Sequence, residues 1–153
     1  MPNEVKEELV PCEVCGHLVL RNERGFYHDC PNCGWRRGCD NSAMEQQMHI
    51  SYPMVVSLSH AKKQYRQGVP FKADFNEFIR ALLFYGEMQF DHKGATYCVV
   101  AYRDPDGALI NITLCGETTR QEFRSAEEFK EQAHINGKKV KNIWDEVNDP
   151  RYM

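Results

Sequence analysis

Two Cys-x-x-Cys pairs near the start of the chain constrain its folding more than any other feature. The first is Cys12-Glu13-Val14-Cys15, followed by Gly16-His17; the second is Cys30-Pro31-Asn32-Cys33, followed by Gly34-Trp35. Fourteen residues separate Cys15 from Cys30. Each pair forms a knuckle that aims two sulfurs at one ion, and two pairs supply the four soft ligands that tetrahedral Zn²⁺ prefers. A glycine directly after the second cysteine suits the tight turn of the backbone around the sulfur. The pattern therefore predicts one structural Zn²⁺ held by Cys12, Cys15, Cys30 and Cys33. Four thiolates close the coordination sphere and leave no position for water or substrate. A ribbon this small has little core, so metal binding should be coupled to its folding. The spacer, from Leu18-Val19-Leu20 through Gly25-Phe26-Tyr27, reads as a hairpin joining the knuckles.

The remaining metal-competent residues are given other roles. The chain has seven cysteines, an odd number that argues against a fully paired disulfide framework. His17 and His28 flank the knuckles, but a complete set of four cysteines needs neither. Cys39 reads as a free or buried thiol. Cys98 and Cys115 fall in expected strands, where cysteine is a common small core residue.

Charge and hydropathy narrow the class. Apolar residues make up 42% and charged residues 27%, which is ordinary for a folded globular chain. No apolar run approaches the roughly 20 residues that cross a membrane as a helix. The opening stretch is polar and acidic and lacks a basic segment followed by an apolar one, so a cytoplasmic setting is expected. The net charge of −3 argues against a generic nucleic-acid binder. Contact with nucleic acid would have to use a local patch.

The expected fold class is α+β, an N-terminal four-cysteine zinc ribbon plus a small antiparallel sheet flanked by helices. Residues 1–40 form the ribbon, 41–70 a linker and helix, and 71–153 an α+β domain. Ser57 caps a helix that Gly68 and Pro70 stop. Asp74 and Glu77 form a capping box for a second helix whose Phe75, Phe78, Ile79, Leu82 and Leu83 recur at helical spacing up to Gly86. Strands are expected over Glu87–Asp91 and Ala95–Arg103, joined by His92-Lys93-Gly94, then over Leu109–Cys115, with a fourth over Thr118–Phe123. Ser125 and Glu128 form a capping box for a short helix reaching about Ala133. Val140, Ile143, Trp144 and Val147 mark a final amphipathic helix.

On these residues the chain resembles the bacterial cysteine-rich CPCC family over about residues 11–68. The resemblance lies in the first knuckle with Gly16-His17-Leu18, in Arg24-Gly25-Phe26-Tyr27, in Cys30-Pro31-Asn32-Cys33-Gly34-Trp35, and in Val56-Ser57-Leu58 with Ala61 and Tyr65. The family's first knuckle usually reads Cys-Pro-Cys-Cys, whereas Glu13 and Val14 stand here. Arg36-Arg37 replace the usual acidic residues after the tryptophan. Residues 71–149 resemble small uncharacterised proteins of Gram-positive bacteria and their mobile elements, through Phe90-Asp91-His92-Lys93-Gly94 and residues 136–147. Neither resemblance supplies a catalytic residue.

The leading functional expectation is a non-catalytic binding protein, acting by protein or nucleic-acid contact as an accessory of a mobile element or phage. The contact residues would be Arg21, Arg24, Arg36, Arg37, Lys62, Lys63 and Arg66, with Phe26, Tyr27 and Trp35 interleaved. A protein partner is expected, with nucleic acid as the other occupant of the same basic patch. An alternative is an inhibitor of a host nucleic-acid-binding defence enzyme, CRISPR effectors included, which would mimic phosphate with Glu117, Glu122, Glu127, Glu128, Glu131, Asp145, Glu146 and Asp149. A second alternative is a small enzyme pairing Cys98 or Cys115 with His92. The chain lacks G-x-S-x-G, H-E-x-x-H and a glycine-rich phosphate loop. Oligomeric state is not legible in the sequence.

Overall fold

A computed structural model describes residues 7–22, 29–35 and 55–152. Arg24, Phe26, Tyr27, His28, Arg36, Arg37, Cys39 and the expected linker over 41–54 lie outside the described residues. The chain divides into two units, Met1–Lys72 and Ala73–Met153.

The first unit opens with a two-stranded hairpin, β1 (Glu7–Pro11) and β2 (Leu18–Asn22), paired antiparallel with Leu9 opposite Leu20 and Pro11 opposite Leu18. The expected hairpin in the spacer is thus corrected in its first half. The strand at Leu18 pairs backwards, across the first knuckle, with a segment whose acidic Glu7-Glu8 start hides its strand character. Residues 23–28 lie outside the described set. Helix α1 (Leu58–Gln67) follows the expected signals: the Ser57 hydroxyl accepts from the His60 N–H, and Gly68 ends the helix in the left-handed region. Buried Gln64 holds the chain beyond the helix, donating from Nε2 to the Lys72 carbonyl at 2.7 Å and accepting from the Lys72 N–H at 3.1 Å. Trp35, Val55, Val56 and Ala61 are buried, and Trp35 meets Phe71 edge-on at 5.7 Å.

The second unit is α+β, as expected. Helix α2 (Phe75–Tyr85) begins with a complete Asp74/Glu77 capping box and ends at Gly86. Five antiparallel strands follow in the order β6-β5-β4-β3-β9: β3 is Glu87–His92, β4 Ala95–Arg103, β5 Leu109–Cys115, β6 Arg120–Phe123 and β9 Asn148–Tyr152. Helix α3 (Ala126–Gln132) and a short hairpin, β7 (His134–Ile135) with β8 (Lys138–Lys139), lie between β6 and β9. One face of the sheet carries the core. Met88, Phe90, Tyr97, Val99, Ile112 and Leu114 are buried together with Phe78, Leu82, Phe129 and Trp144. Trp144 sits within an aromatic cluster, 5.2 Å from Phe75, 5.1 Å from Phe78 and 5.8 Å from Phe90 by ring centroids. Its indole N–H donates to the Ala73 carbonyl at 2.9 Å.

Three local expectations are corrected. His92 is not part of the turn. It ends β3 with its side chain buried on the Met88/Phe90 face, and Lys93-Gly94 alone makes the turn, both at positive φ as a two-residue hairpin requires. Ser125 accepts from the Glu128 N–H, but the Glu128 carboxylate turns to the Arg124 N–H, so the capping box is not reciprocal. The final amphipathic helix is instead two 3₁₀ turns, Val140–Asn142 and Trp144–Glu146. They bury the same four apolar residues and release the chain into β9, which pairs with β3.

The outer face of that last pairing carries an ion pair. The Asp91 carboxylate accepts from the Thr96 hydroxyl at 2.7 Å and from Arg151 Nη1 at 3.2 Å. Burial raises the Asp91 carboxyl, but the Thr96 and Arg151 bonds and the Arg151 charge outweigh it and hold the pKa below the usual carboxylate value. A carboxyl depressed in the folded state stabilises above its unfolded pKa of about 3.9, and loses that contribution as pH falls through the folded value. Asp91→Asn should therefore be less stable than wild type at pH 6, by about 1 kcal/mol or less for so partly exposed a pair. In urea titrations the difference should close as pH falls below about 4.

Candidate metal centre

Each half of the centre is a knuckle of the same build. In the first, the Cys12 N–H donates to the His17 carbonyl at 2.7 Å and the Gly16 N–H to the Cys12 carbonyl at 2.9 Å. In the second, the Cys30 N–H donates to the Trp35 carbonyl at 3.0 Å and the Gly34 N–H to the Cys30 carbonyl at 2.9 Å. Gly16 and Gly34 share φ of 81°, a left-handed value that a side chain adopts only with strain. The hairpin β1–β2 fixes the first knuckle because the knuckle is its connecting loop.

The knuckles bring all four sulfurs within 4.8 Å of one another. Cys12 Sγ lies 3.7 Å from Cys33 Sγ, and Cys15 Sγ lies 3.5 Å from Cys30 Sγ. Tetrahedral zinc with bonds of about 2.3 Å needs sulfurs about 3.8 Å apart, so the cluster is close to the size the ion requires. Cys12 and Cys30 are buried, Cys15 and Cys33 half-buried. The Val14 N–H points at Cys12 Sγ at 3.4 Å.

Three of the four thiols, Cys12, Cys15 and Cys33, are shifted from their ordinary values. Burial pushes the Cys12 thiol up; it pushes Cys33 up too, and Cys15, Cys12 and Cys30 beside it raise Cys33 further. Burial acts on Cys15 in the same direction, but the Asn32 side chain, the His17 backbone and the neighbouring Cys30 and Cys33 outweigh it and hold Cys15 at about 6. Thiolates this close repel one another, and a divalent ion held among the four sulfurs would supply the compensating charge. The structure thus brings together four of the sequence-predicted site residues. His17 is exposed and contributes its carbonyl to the knuckle; among the described residues the ligand cluster contains no histidine.

The predicted contact residues divide differently. Lys62, Lys63 and Arg66 are exposed on α1, in the same unit as the cysteines. Arg21 lies in β2, and Arg24, Arg36 and Arg37 lie outside the described residues. Beside the second knuckle is a groove of about 240 Å³ lined by Asn32, Cys33, Tyr65, Val69, Pro70 and Phe71. Asn32 Nδ2 donates to the Tyr65 hydroxyl at 3.4 Å, tying knuckle to helix. The role of Asn32 was not legible in the sequence, because its partner is 33 residues away.

The proposed cysteine–histidine dyad does not form. Cys98 lies opposite Gln89 on one face of the sheet, while His92 sits buried on the other with Met88 and Phe90. His92 instead has its Nδ1 at 3.3 Å from Asn136 Nδ2.

Fold and site together define a metal-binding class: a four-thiol centre on a small ribbon, in a chain with an α+β unit after it. The model of the cysteine-rich CPCC family matches residues 10–81, from the end of β1 into α2. That segment is similar to this family, and it contains all four cysteines of the centre. No curated protein and no solved structure matches the chain.

Proposed function

We propose that the chain is a non-catalytic binding protein whose zinc, held by Cys12, Cys15, Cys30 and Cys33, is structural. Its contact surface is the cationic face of α1 with the groove beside it, and its partner is a protein presenting an acidic, partly apolar segment. The observation that carries this reading is the setting of Lys62, Lys63 and Arg66 on the helix whose Tyr65 walls the groove at Cys33. Residues three and four apart share a helix face, so the three cations act together. Tyr65 and Val69 are 41% and 46% exposed, which leaves apolar surface next to the charge. A net charge of −3 disfavours nonspecific attachment to nucleic acid and favours a shaped, local contact.

The setting in our reading is cytoplasmic, in an accessory protein of a mobile element or phage. The sequence resemblance of residues 71–149 supports that setting. Among the described residues no helix is long and apolar enough to cross a membrane. Inhibition by phosphate mimicry is the weaker reading. Several of the acidic residues it would use already face cations: Glu122 pairs with Arg120, Glu127 with Lys130, Glu131 with Lys141 and Asp149 with Arg151.

Affinity capture from the native host tests the proposal, comparing wild type with the Lys62→Glu/Lys63→Glu/Arg66→Glu variant, with and without nuclease. Wild type should retain a protein that survives nuclease, and the variant should lose it by tenfold or more. Retention unchanged by the charge reversal overturns the assigned surface. Capture that nuclease abolishes assigns the same face to nucleic acid instead.

A further inference from the structure

Outside the metal centre, two more thiols face each other. Cys98 of β4 and Cys115 of β5 are direct partners in the antiparallel ladder, so their side chains leave the sheet on the same face. That face is the one opposite the Phe90/Val99/Leu114 core, and both cysteines are half-buried. The backbone bonds settle the kind of pair they form. Gly116 N–H donates to the Thr119 carbonyl at 2.9 Å, closing the β5–β6 turn. Cys115 and Arg120, the next pair, are then not hydrogen-bonded to each other, and Cys115 turns its N–H and carbonyl toward β4. On the other side, Ala101 N–H donates to the Gly86 carbonyl at 2.8 Å. Alternation from Ala101 turns Cys98 toward β5. Both routes make Cys98 and Cys115 a hydrogen-bonded pair, with Cα atoms about 5.5 Å apart. A disulfide spans Cα separations of about 4.4–6.8 Å, which this pair meets, and its Cβ separation of about 3.5–4.5 Å is reached from the roughly 4.5–5.5 Å of a directly opposed pair by a small inward shift of the two strands.

We infer that Cys98 and Cys115 are an oxidisable dithiol, converted by a hydroperoxide to a cross-strand disulfide while the zinc thiolates stay bound to metal. Cys98 attacks first, since its sulfur is the one that Gln89 Nε2 faces, at 3.6 Å. The Cys98 thiolate takes the terminal oxygen of hydrogen peroxide, breaking the O–O bond; hydroxide leaves, is protonated to water, and a sulfenic acid remains. The Cys115 thiolate then attacks that sulfur. The S–S bond forms, the S–O bond breaks, and the oxygen departs as a second water. Two thiols have lost two electrons and two protons, and one peroxide has been reduced to two waters. A half-exposed disulfide of this kind remains open to reduction by small thiols.

The test uses the full zinc-loaded chain carrying Cys39→Ser, which removes the third thiol outside the metal set. The chain is treated with one equivalent of hydrogen peroxide under native conditions, alkylated and digested with trypsin. Cleavage after Arg103 places Cys98 and Cys115 on different peptides, so a bond between them is read directly. The expected result is one linked pair, reversed by dithiothreitol, with zinc content unchanged. In Cys115→Ser a dimedone adduct should accumulate on Cys98, a readout that does not require the pair. Both thiols alkylated after peroxide, or both overoxidised without linkage, overturn the inference. So does linkage of either one to a knuckle cysteine.

Discussion

Stripping the metal with a strong chelator at neutral pH unfolds the first unit and leaves the second folded. The reason lies in how little else holds the ribbon. The hairpin of β1 and β2 is two strands only, and isolated two-stranded hairpins are marginal in water. Leu9 and Leu18 on it are 60% and 53% exposed, so they contribute little burial. Zinc binding to four thiolates is worth about 10–16 kcal/mol in small ribbon-like peptides, far more than the packing here provides. The second unit draws on its own five-stranded sheet and aromatic cluster. Amide exchange resolved by residue should show protection lost over residues 7–22 and 29–35 and retained over β3, β4 and β5. Cys30→Ser should reproduce the pattern without chelator, because one hydroxyl in place of a buried thiolate opens the coordination sphere. Simultaneous loss of protection in both units would show that the metal supports more than the ribbon.

Trp144→Ala is the most damaging substitution expected in the second unit. The indole touches Phe75, Phe78 and Phe90, and its N–H satisfies the Ala73 carbonyl. Truncating a buried aromatic to alanine costs about 3–5 kcal/mol through lost transfer energy and the remaining cavity. Leaving the Ala73 carbonyl without a partner adds about 1–3 kcal/mol if water cannot reach it. For a unit of this size the sum is comparable with total stability. Trp144→Phe keeps much of the packing and loses the hydrogen bond, so it separates the two contributions. Urea unfolding followed by far-UV circular dichroism should show Trp144→Phe in between, with Trp144→Ala largely unfolded at room temperature. Equal midpoints for the two variants would mean the ring's size, rather than its hydrogen bond, is irrelevant to the core.

What could be read from the chain alone follows the range of the forces involved. The knuckles are local: spacing, glycine and thiol chemistry all lie within six residues, and the structure brings those four sulfurs together. The caps at Ser57 and Asp74 are local too, and both form. Strands β1 and β9 are not local. Glu7-Glu8 and Asn148-Asp149-Pro150 carry little of the alternation that marks a strand, and their partners, at Leu18–Asn22 and Met88–Asp91, supply the pairing. The spacing of Val140, Ile143, Trp144 and Val147 suits an α-helical face, yet two 3₁₀ turns bury the same residues, so the pattern predicts burial correctly and helix type wrongly. The groove beside Cys33 joins Asn32 to Tyr65 and Phe71 and is visible only once the chain has folded.

The metal claim is tested most directly by native mass spectrometry of the purified chain, paired with elemental analysis. One zinc per chain is expected, with loss of protons matching four ligated thiolates and no zinc retained in Cys30→Ser. A chain free of zinc, or one whose four knuckle cysteines are joined as disulfides, would contradict the account at its base.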